Sequence, residues 1–263
     1  MTIPFQKYHG TGNDFIMIDQ REQQYLTRKD QAIIEKMCTR HFGIGADGLI
    51  LLQNHAELDF EMIYFNSDGR ESSMCGNGGR CIVAFAHQLG VFKTACQFWA
   101  IDGLHEAVVK DHWVELKMSA VEKVETYNTH YFLDTGSPHH VAFIEDVEKV
   151  NIVAKGSEIR YSDTYQPLGT NVNFVQASDD KITVATYERG VENETLSCGT
   201  GVTAAAIAYH LQNPTKKIVD IVTKGGQLQV KLKPENSGFD DIWLCGPTKE
   251  VFRGVFDTLT ISS

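Results

Sequence analysis

Two cysteines stand directly in front of glycine-rich turns: Cys75 in "SSMCGNGGRC" and Cys198 in "LSCGTGVTAAAIAYH". Each turn leads into a stretch that reads as a helix. Backbone N–H groups at a helix start form a small positive pole, and glycines let a ligand approach it closely. A carboxylate fits such a place, and a thiol there ionises more readily. Taken singly, each stretch is as well explained by a turn with a packed cysteine. The same arrangement twice in one chain points to shared chemistry. Two sulfurs flanking one ligand would let a thiolate remove a proton from one face of a tetrahedral carbon while a thiol supplies one to the other. Helix N-termini holding the adjacent carboxylate would stabilise the carbanion-like charge. That is α-proton racemase or epimerase chemistry without a cofactor. The weak acidity of an amino-acid α-proton makes charge stabilisation and exclusion of water large terms.

The elements that must carry these cysteines repeat as well. At an offset of 123 residues (198 − 75), Tyr64 meets Tyr187, Glu71 meets Glu194, Gly76 meets Gly199, Gly78 meets Gly201 and His87 meets His210. One residue further, Thr11-Gly12 meets Thr135-Gly136, Gly45 meets Gly169 and Asp47 meets Asn171. Colinearity of this kind argues for a duplicated domain. "FIMID", "GLILL" and "FEMIYF" read as strands from their β-branched and aromatic content. "TRKDQAIIEKMCTRHFG" reads as a helix with Thr27 as its N-cap. A second helix follows Cys75 and ends at Gly90. "CQFWAIDGLHEAVVKDHWVELKM" alternates like a strand series. In the second half "HHVAFI", "NVNFVQ" and "ITVATYE" precede a helix from about Gly199 to His210, and "KIVDIVTKGGQLQVKL" and "IWLCGP" follow as strands. The second half begins near Ser119, after a first half of 1–118.

Composition narrows the function classes. The 42% hydrophobic and 22% charged content is that of a chain that buries real cores. With 24 basic and 34 acidic residues, net −10, it lacks the basic footprint of a nucleic-acid binder, though a local site can still take a small anion. No run suits a signal peptide or a membrane span, so a cytoplasmic protein is expected. None of the six cysteines forms a C-x-x-C pair, which argues against a zinc knuckle or a thioredoxin-type motif. Cys38, Cys96 and Cys245 read as buried small hydrophobes, and Cys81, six residues past Cys75, as packing. "GTGND" lacks the spacing of a dinucleotide fingerprint, and no lysine motif marks a pyridoxal site. No cofactor or metal is expected.

"KYHGTGNDFIMID", "GIGADG", "FNSDGRESSMCGNGGRC", "TNVNFV" and "ERGVENETLSCGTG" occur in the order seen in the diaminopimelate epimerase family, and the resemblance spans nearly the whole chain. It implies an α+β fold of two pseudo-symmetric α/β domains, 1–118 with a returning C-terminal strand over 250–263, and 119–249, each a mixed sheet wrapped around a central helix, with the active site in the cleft between them. It also implies interconversion of LL- and meso-diaminopimelate without pyridoxal phosphate or metal, and a homodimer. Carried over by residue, Cys75 and Cys198 resemble the acid/base pair. Gly76 with Asn77 and Gly199 with Thr200 resemble the donors around the reacting carboxylate. Asn13, Asn66, Asn171 and Arg189 resemble the readers of the rest of the substrate. Glu188 is similar to a carboxylate near the substrate amine, and His139 to a histidine supporting catalysis. An arginine suits a distal carboxylate, which it binds bidentately.

Read without the resemblance, Asn13 and Asn66 are ordinary turn residues, Glu188 and Arg189 a surface pair, and His139 and His140 equivalent. The chain also departs from the family pattern. Ser137 replaces the asparagine of the common "GNPH", the segment after Glu188 is one residue longer and lacks its second glycine, and Gly48 stands where some members have glutamine. Two alternatives compete. One is another enzyme of the same fold, a proline-type racemase or a phenazine-pathway isomerase. The other is a thiol redox sensor or binding protein using Cys75 and Cys198.

Overall fold

The computed structural model of the chain describes residues 2–111, 113–235 and 238–258. Its elements are β1 (Thr2–Gly10), β2 (Asn13–Asp19), α1 (Gln31–Cys38), β3 (Gly48–Gln53), β4 (Phe60–Asn66), α2 (Gly76–Gln88), β5 (Ala95–Ala100), β6 (Gly103–Lys110) and β7 (Trp113–Met118). They continue with β8 (Val124–Thr126), β9 (Tyr131–Asp134), β10 (Pro138–Phe143), α3 (Ile152–Arg160), β11 (Asn171–Ala177), β12 (Lys181–Glu188) and β13 (Asn193–Thr195). The last are α4 (Gly199–Gln212), β14 (Ile218–Thr223), β15 (Gly226–Glu235), β16 (Gly238–Pro247) and β17 (Lys249–Asp257). Of the strand expected over 250–263, residues 259–263 lie outside the described residues.

Two compact units result: residues up to Leu116 with those from Pro247 onward, and Lys117–Gly246. In the first, strands pair in the order β17-β1-β2-β3-β4-β5-β6-β7, and only β2/β3 and β4/β5 are parallel. In the second, the order β8-β9-β10-β11-β12-β14-β15-β16 has its parallel pairs, β10/β11 and β12/β14, at the same two places. The duplication read from scattered residue matches is therefore a duplication of topology. Parallel neighbours need a crossover. α1 and α2 supply the two crossovers of the first unit, α3 and α4 those of the second.

Within each unit the sheet curls around the helix that follows a cysteine. α2 packs on β1, β2, β3 and β6, and α4 on β9, β10, β11, β12, β14 and β15. A helix enclosed in this way must be small or apolar on every side. "GTGVTAAAIAYH" meets that demand, and Ala204, Ala205, Ala206 and Ala208 are fully buried. The other face of the sheet takes the shorter helix. Ile16, Ile18, Leu49 and Leu51 join Ile34 and Met37 of α1, while Ile152 of α3 packs with Val172, Phe174 and Tyr187. With both faces covered, β2 and β3 carry continuous apolar runs.

Two helix expectations change. α1 begins at Gln31, not after Thr27, because the Asp30 carboxylate turns back to accept from the Thr27 N–H and hydroxyl, both at 2.7 Å, and closes a turn there. It ends at Cys38, where Thr39 is extended and His41 takes φ 73°. α3 was not foreseen. Its N-cap Asn151 accepts from Ala154 N at 3.0 Å, but Gly156 weakens the helical signal. Gly156 is required because a Cβ there would lie 2.3 Å from Cβ of Tyr187.

Candidate active site

Cys75 is the N-cap of α2, and its Sγ accepts from Gly78 N at 3.2 Å. The sulfur thus occupies the place of a capping oxygen, where the helix dipole favours negative charge. Gly78 makes the contact possible: a Cβ there would meet Sγ at 3.2 Å and Ile50 Cδ1 at 3.2 Å. Two turns of chain beyond, burial pushes the Cys81 thiol far up, which suits a packing role. Cys38, Cys96 and Cys245 are buried as well.

Beneath the first turn of α2 lies Arg80, fully buried. It donates to Asn77 Oδ1 at 2.9 Å, Gly76 O at 3.1 Å and Thr11 Oγ1 at 3.4 Å. Asn77 Nδ2 donates to Asn13 Oδ1 at 3.2 Å, and Asn13 Nδ2 donates to Asp47 Oδ2 at 2.7 Å. A guanidinium only donates and a carboxylate only accepts, so the two ends of this chain fix the orientation of both amides. Arg40 in turn bridges Asp47 at 2.9 Å and Asp14 at 2.7 Å. Burial works to raise the Asp14 carboxyl, but hydrogen bonds from Arg40 and Lys7 outweigh it and hold it at about 2. Asn66 ends β4 and opens the exposed turn to Arg70, closed by Asn66 N to Arg70 O at 2.9 Å. Gly48 lies opposite Asn66, and the Tyr64 ring stands 2.5 Å from where its Cβ would be.

Cys198 is the N-cap of α4, buried, with Sγ 3.4 Å from Thr200 Oγ1. The turn between β9 and β10 braces this helix start: Thr135 Oγ1 donates to Thr200 O at 2.9 Å. From the same turn, Ser137 Oγ and Pro138 O accept from Asn171 Nδ2 at 2.8 and 3.0 Å, and Asn171 Oδ1 accepts from Arg189 N at 2.9 Å. Asn171 therefore ties together Ser137 and Arg189, both named from the sequence. His139 is fully buried on β10, and burial, reinforced by the Arg189 charge, pushes its imidazole down to about 3. His140 points the other way, stacked on His130 at 4.1 Å and bonded to Tyr165 Oη at 2.8 Å. Its environment separates it from its neighbour, as sequence could not.

Glu188 ends β12, and Arg189 follows with its guanidinium donating to Leu168 O at 3.3 Å. The longer loop after them is held by an unusual residue: Glu192 takes φ 57°, which costs a side chain about 1–2 kcal/mol. Arg160 offsets this by binding Glu192 at 2.8 Å, and Tyr161 and Tyr187 donate to the same carboxylate at 2.9 and 3.0 Å. The Arg160 hydrogen bond is the main reason the Glu192 carboxyl lies down at about 2. Arg160 also lies across Gly169 (φ 68°), where a Cβ would fall 1.6 Å from its Nη1.

Two cysteine-capped helices thus stand in topologically equivalent positions, each with an ordered set of amides near its first turn. The profile described as diaminopimelate epimerase matches residues 5–124 and 131–247, one repeat in each half. The chain belongs to the diaminopimelate epimerase family. A relative from Flavobacterium psychrophilum named diaminopimelate epimerase is 51% identical over 94% of this chain and 97% of its own. One of the same name from Aquifex aeolicus is 41% identical over 96% and 97%. Among solved structures, a phenazine biosynthesis protein of the PhzF family from Bacillus anthracis superposes with a TM-score of 0.76 at 14% identity, covering 98% of this chain and 99% of that one. A probable proline racemase from Agrobacterium radiobacter gives 0.68 at 14% identity over 97% and 93%. These two share the fold, which is the two-domain, mixed-sheet α/β architecture expected from sequence.

The structure gathers Cys75, Gly76, Asn77 and Asn13 around the start of α2, and Cys198, Gly199, Thr200, His139, Asn171 and Arg189 around the elements that brace α4. Asn66 stays on an exposed turn. Sequence reading missed Arg80 and Asn173. A buried arginine in "CGNGGRC" gives no signal, since arginine is ordinarily exposed. Asn173 lies in a strand that reads only as apolar alternation.

Proposed function

We propose that this chain is a cofactor-independent epimerase that interconverts LL- and meso-2,6-diaminopimelate, in the route to lysine and peptidoglycan precursors. Its domains are 1–118 with 250–263 and 119–249, and it works in the cytoplasm as a homodimer. Cys75 and Cys198 are the acid/base pair. The thiolate of one takes the α-proton as the C–H bond breaks, and the electron pair spreads into the adjacent carboxylate. The thiol of the other gives its proton to the opposite face, so the centre inverts and thiolate and thiol exchange places. The reverse reaction uses them in the opposite order. Gly76 with Asn77 and Gly199 with Thr200 hold the reacting carboxylate at the two helix starts. Arg189, Asn171, Asn13 and Asn66 read the remaining groups, Glu188 faces the substrate amine, and His139 supports the reaction.

The observation that carries this reading is the N-capping position of both cysteines, in equivalent places of a duplicated fold. It supports paired proton transfer over a redox role, because each sulfur lies where a helix start stabilises both its own charge and that of a carboxylate. In the decisive experiment, reduced protein is incubated with LL-diaminopimelate and the meso product is followed by chiral chromatography, beside Cys198→Ala and Cys75→Ala. Turnover by the wild type and none by either variant is expected. Retained epimerisation in Cys198→Ala would rule out the two-thiol mechanism.

A further inference from the structure

His139 is fully buried, and its Nε2 has no hydrogen-bond partner among the described residues. An orphaned buried polar atom is costly, and it calls for an acceptor that arrives with a ligand. What that atom can do depends on where the imidazole carries its hydrogen, and this is decided on the other side of the ring. Asn173 Nδ2 lies 2.9 Å from His139 Nδ1 and 3.1 Å from His140 O. Thr186 Oγ1 donates to Asn173 Oδ1 at 2.9 Å. All three side chains are buried, with Asn173 at 0% and Thr186 at 3% exposure. A backbone carbonyl only accepts, so the amide nitrogen of Asn173 must face His140 O, and its second hydrogen then points at His139 Nδ1. That nitrogen is an acceptor, and the ring hydrogen is on Nε2.

We infer that Asn173 is a positioning residue that holds His139 as the neutral Nε2–H tautomer, making it a fixed hydrogen-bond donor to a carboxylate oxygen of the substrate and not an acid or base. The identity of the acceptor rests on the epimerase reading; the tautomer rests on the geometry alone. To take up a proton, Nδ1 would have to turn an N–H against the amide hydrogen of Asn173. To give one up, the ring would have to become an anion. Neither is open, so the proton transfers fall to the cysteines. The relay also lies against the helix start that Cys198 caps. A Cβ on Gly201 would come within 2.4 Å of Asn173 Oδ1, 3.2 Å of Thr186 Oγ1 and 3.3 Å of Cys198 Cβ. The charged residue whose field reaches His139 is Arg189, which likewise opposes protonation of the ring.

The test is nitrogen NMR of the reduced, histidine-labelled full chain, with His139 assigned from the signal lost in His139→Gln. The wild type is expected to show a hydrogen on Nε2 and none on Nδ1, unchanged between pH 8 and 5. In Asn173→Asp the new carboxylate accepts from Nδ1 and moves the hydrogen there. At high pH the neutral ring then has a bare Nε2, and kcat falls by about 100-fold, the effect of removing one donor from a developing charge. Lowering the pH protonates Nε2 again and recovers activity, an ionisation absent from the wild-type profile and one that a purely structural defect does not create. A wild-type ring protonated on Nδ1, or on both nitrogens at neutral pH, overturns the inference, and that spectrum decides the matter even if Asn173→Asp does not fold. An Nε2–H ring in a protein that epimerises nothing overturns the proposed function and leaves the tautomer assignment standing.

Discussion

Lowering the pH from 7.5 to 5 destabilises this fold through two histidines that it buries uncharged. His139 is 0% exposed and His140 8%, and burial lowers their pKa values to about 3 and about 4. For His140 the neighbouring His130 adds to the effect. Unfolded, each returns to the ordinary value of 6.5. A group whose folded pKa is depressed in this way costs nothing well above its unfolded value. As pH falls below that value, the unfolded chain binds a proton that the folded chain refuses. At pH 5 the gain to the unfolded state is 1.5 pH units at 1.36 kcal/mol each, about 2 kcal/mol per histidine and about 4 kcal/mol for the pair. Asp14 and Glu192, both held at about 2, act in a lower window, because their unfolded values are 3.8 and 4.5. Their contribution is intact above those values and is lost as pH falls toward 2. The interval from 7.5 to 5 therefore isolates the histidines; burial lowers the His130 pKa as well, so the loss from His139 and His140 is a minimum. Urea unfolding at the two pH values should show the wild type losing about 4 kcal/mol, a large part of the 5–15 kcal/mol typical of a folded protein. His140→Gln keeps a polar partner for Tyr165 but cannot titrate, and should lose about 2 kcal/mol over the same interval. Equal acid losses in the two proteins would mean that His140 takes up no proton on unfolding at pH 5 and is not buried uncharged.

Three substitutions test other parts of the account. Gly156→Ala drives a methyl group into Tyr187, and overpacking of that kind costs about 1–3 kcal/mol; a lowered melting temperature with unchanged activity per folded molecule is expected. Arg80→Met removes the donor that orients Asn77, with an expected stability loss of about 2–4 kcal/mol from charge-assisted hydrogen bonds and a fall in kcat/KM beyond that of Gly156→Ala, both read on the purified variants. Glu192→Ala keeps the left-handed backbone and removes its Arg160 clamp, losing about 1–3 kcal/mol; steady-state kinetics should show a raised KM, since the loop carries Arg189.

Much of the architecture was legible because two signals coincide in this chain. β-branched runs mark strands buried on both faces, and the two Cys-Gly turns mark the starts of the enclosed helices. Gly90, at φ 73°, ends α2 where a C-terminal glycine was read. The elements that escaped did so for physical reasons. α3 carries Gly156 to fit against Tyr187, so its local propensity argues against the helix that packing imposes. α1 loses its first turn to the Thr27–Asp30 side-chain bonds, a contest between side chain and backbone that residue types alone do not decide. In the site, cysteine and its glycines are readable because chemistry and backbone freedom both require them. Asn171 was reached only through the family resemblance, Asn173 depends on His139, His140 and Thr186 on other strands, and Arg80 makes its main bonds within its own helix turn, where nothing in the residue types shows that it is buried.

Transfer of the α-proton by the protein's own thiols is open to a direct measurement: incubating the reduced chain with LL-diaminopimelate in heavy water, with no pyridoxal phosphate or metal added, and following the α-protons and the diastereomers together. Deuterium entering one α-position as the meso compound forms is the predicted result. Folded protein with both Cys75 and Cys198 reactive to thiol reagents, yet no exchange at either centre, would contradict it.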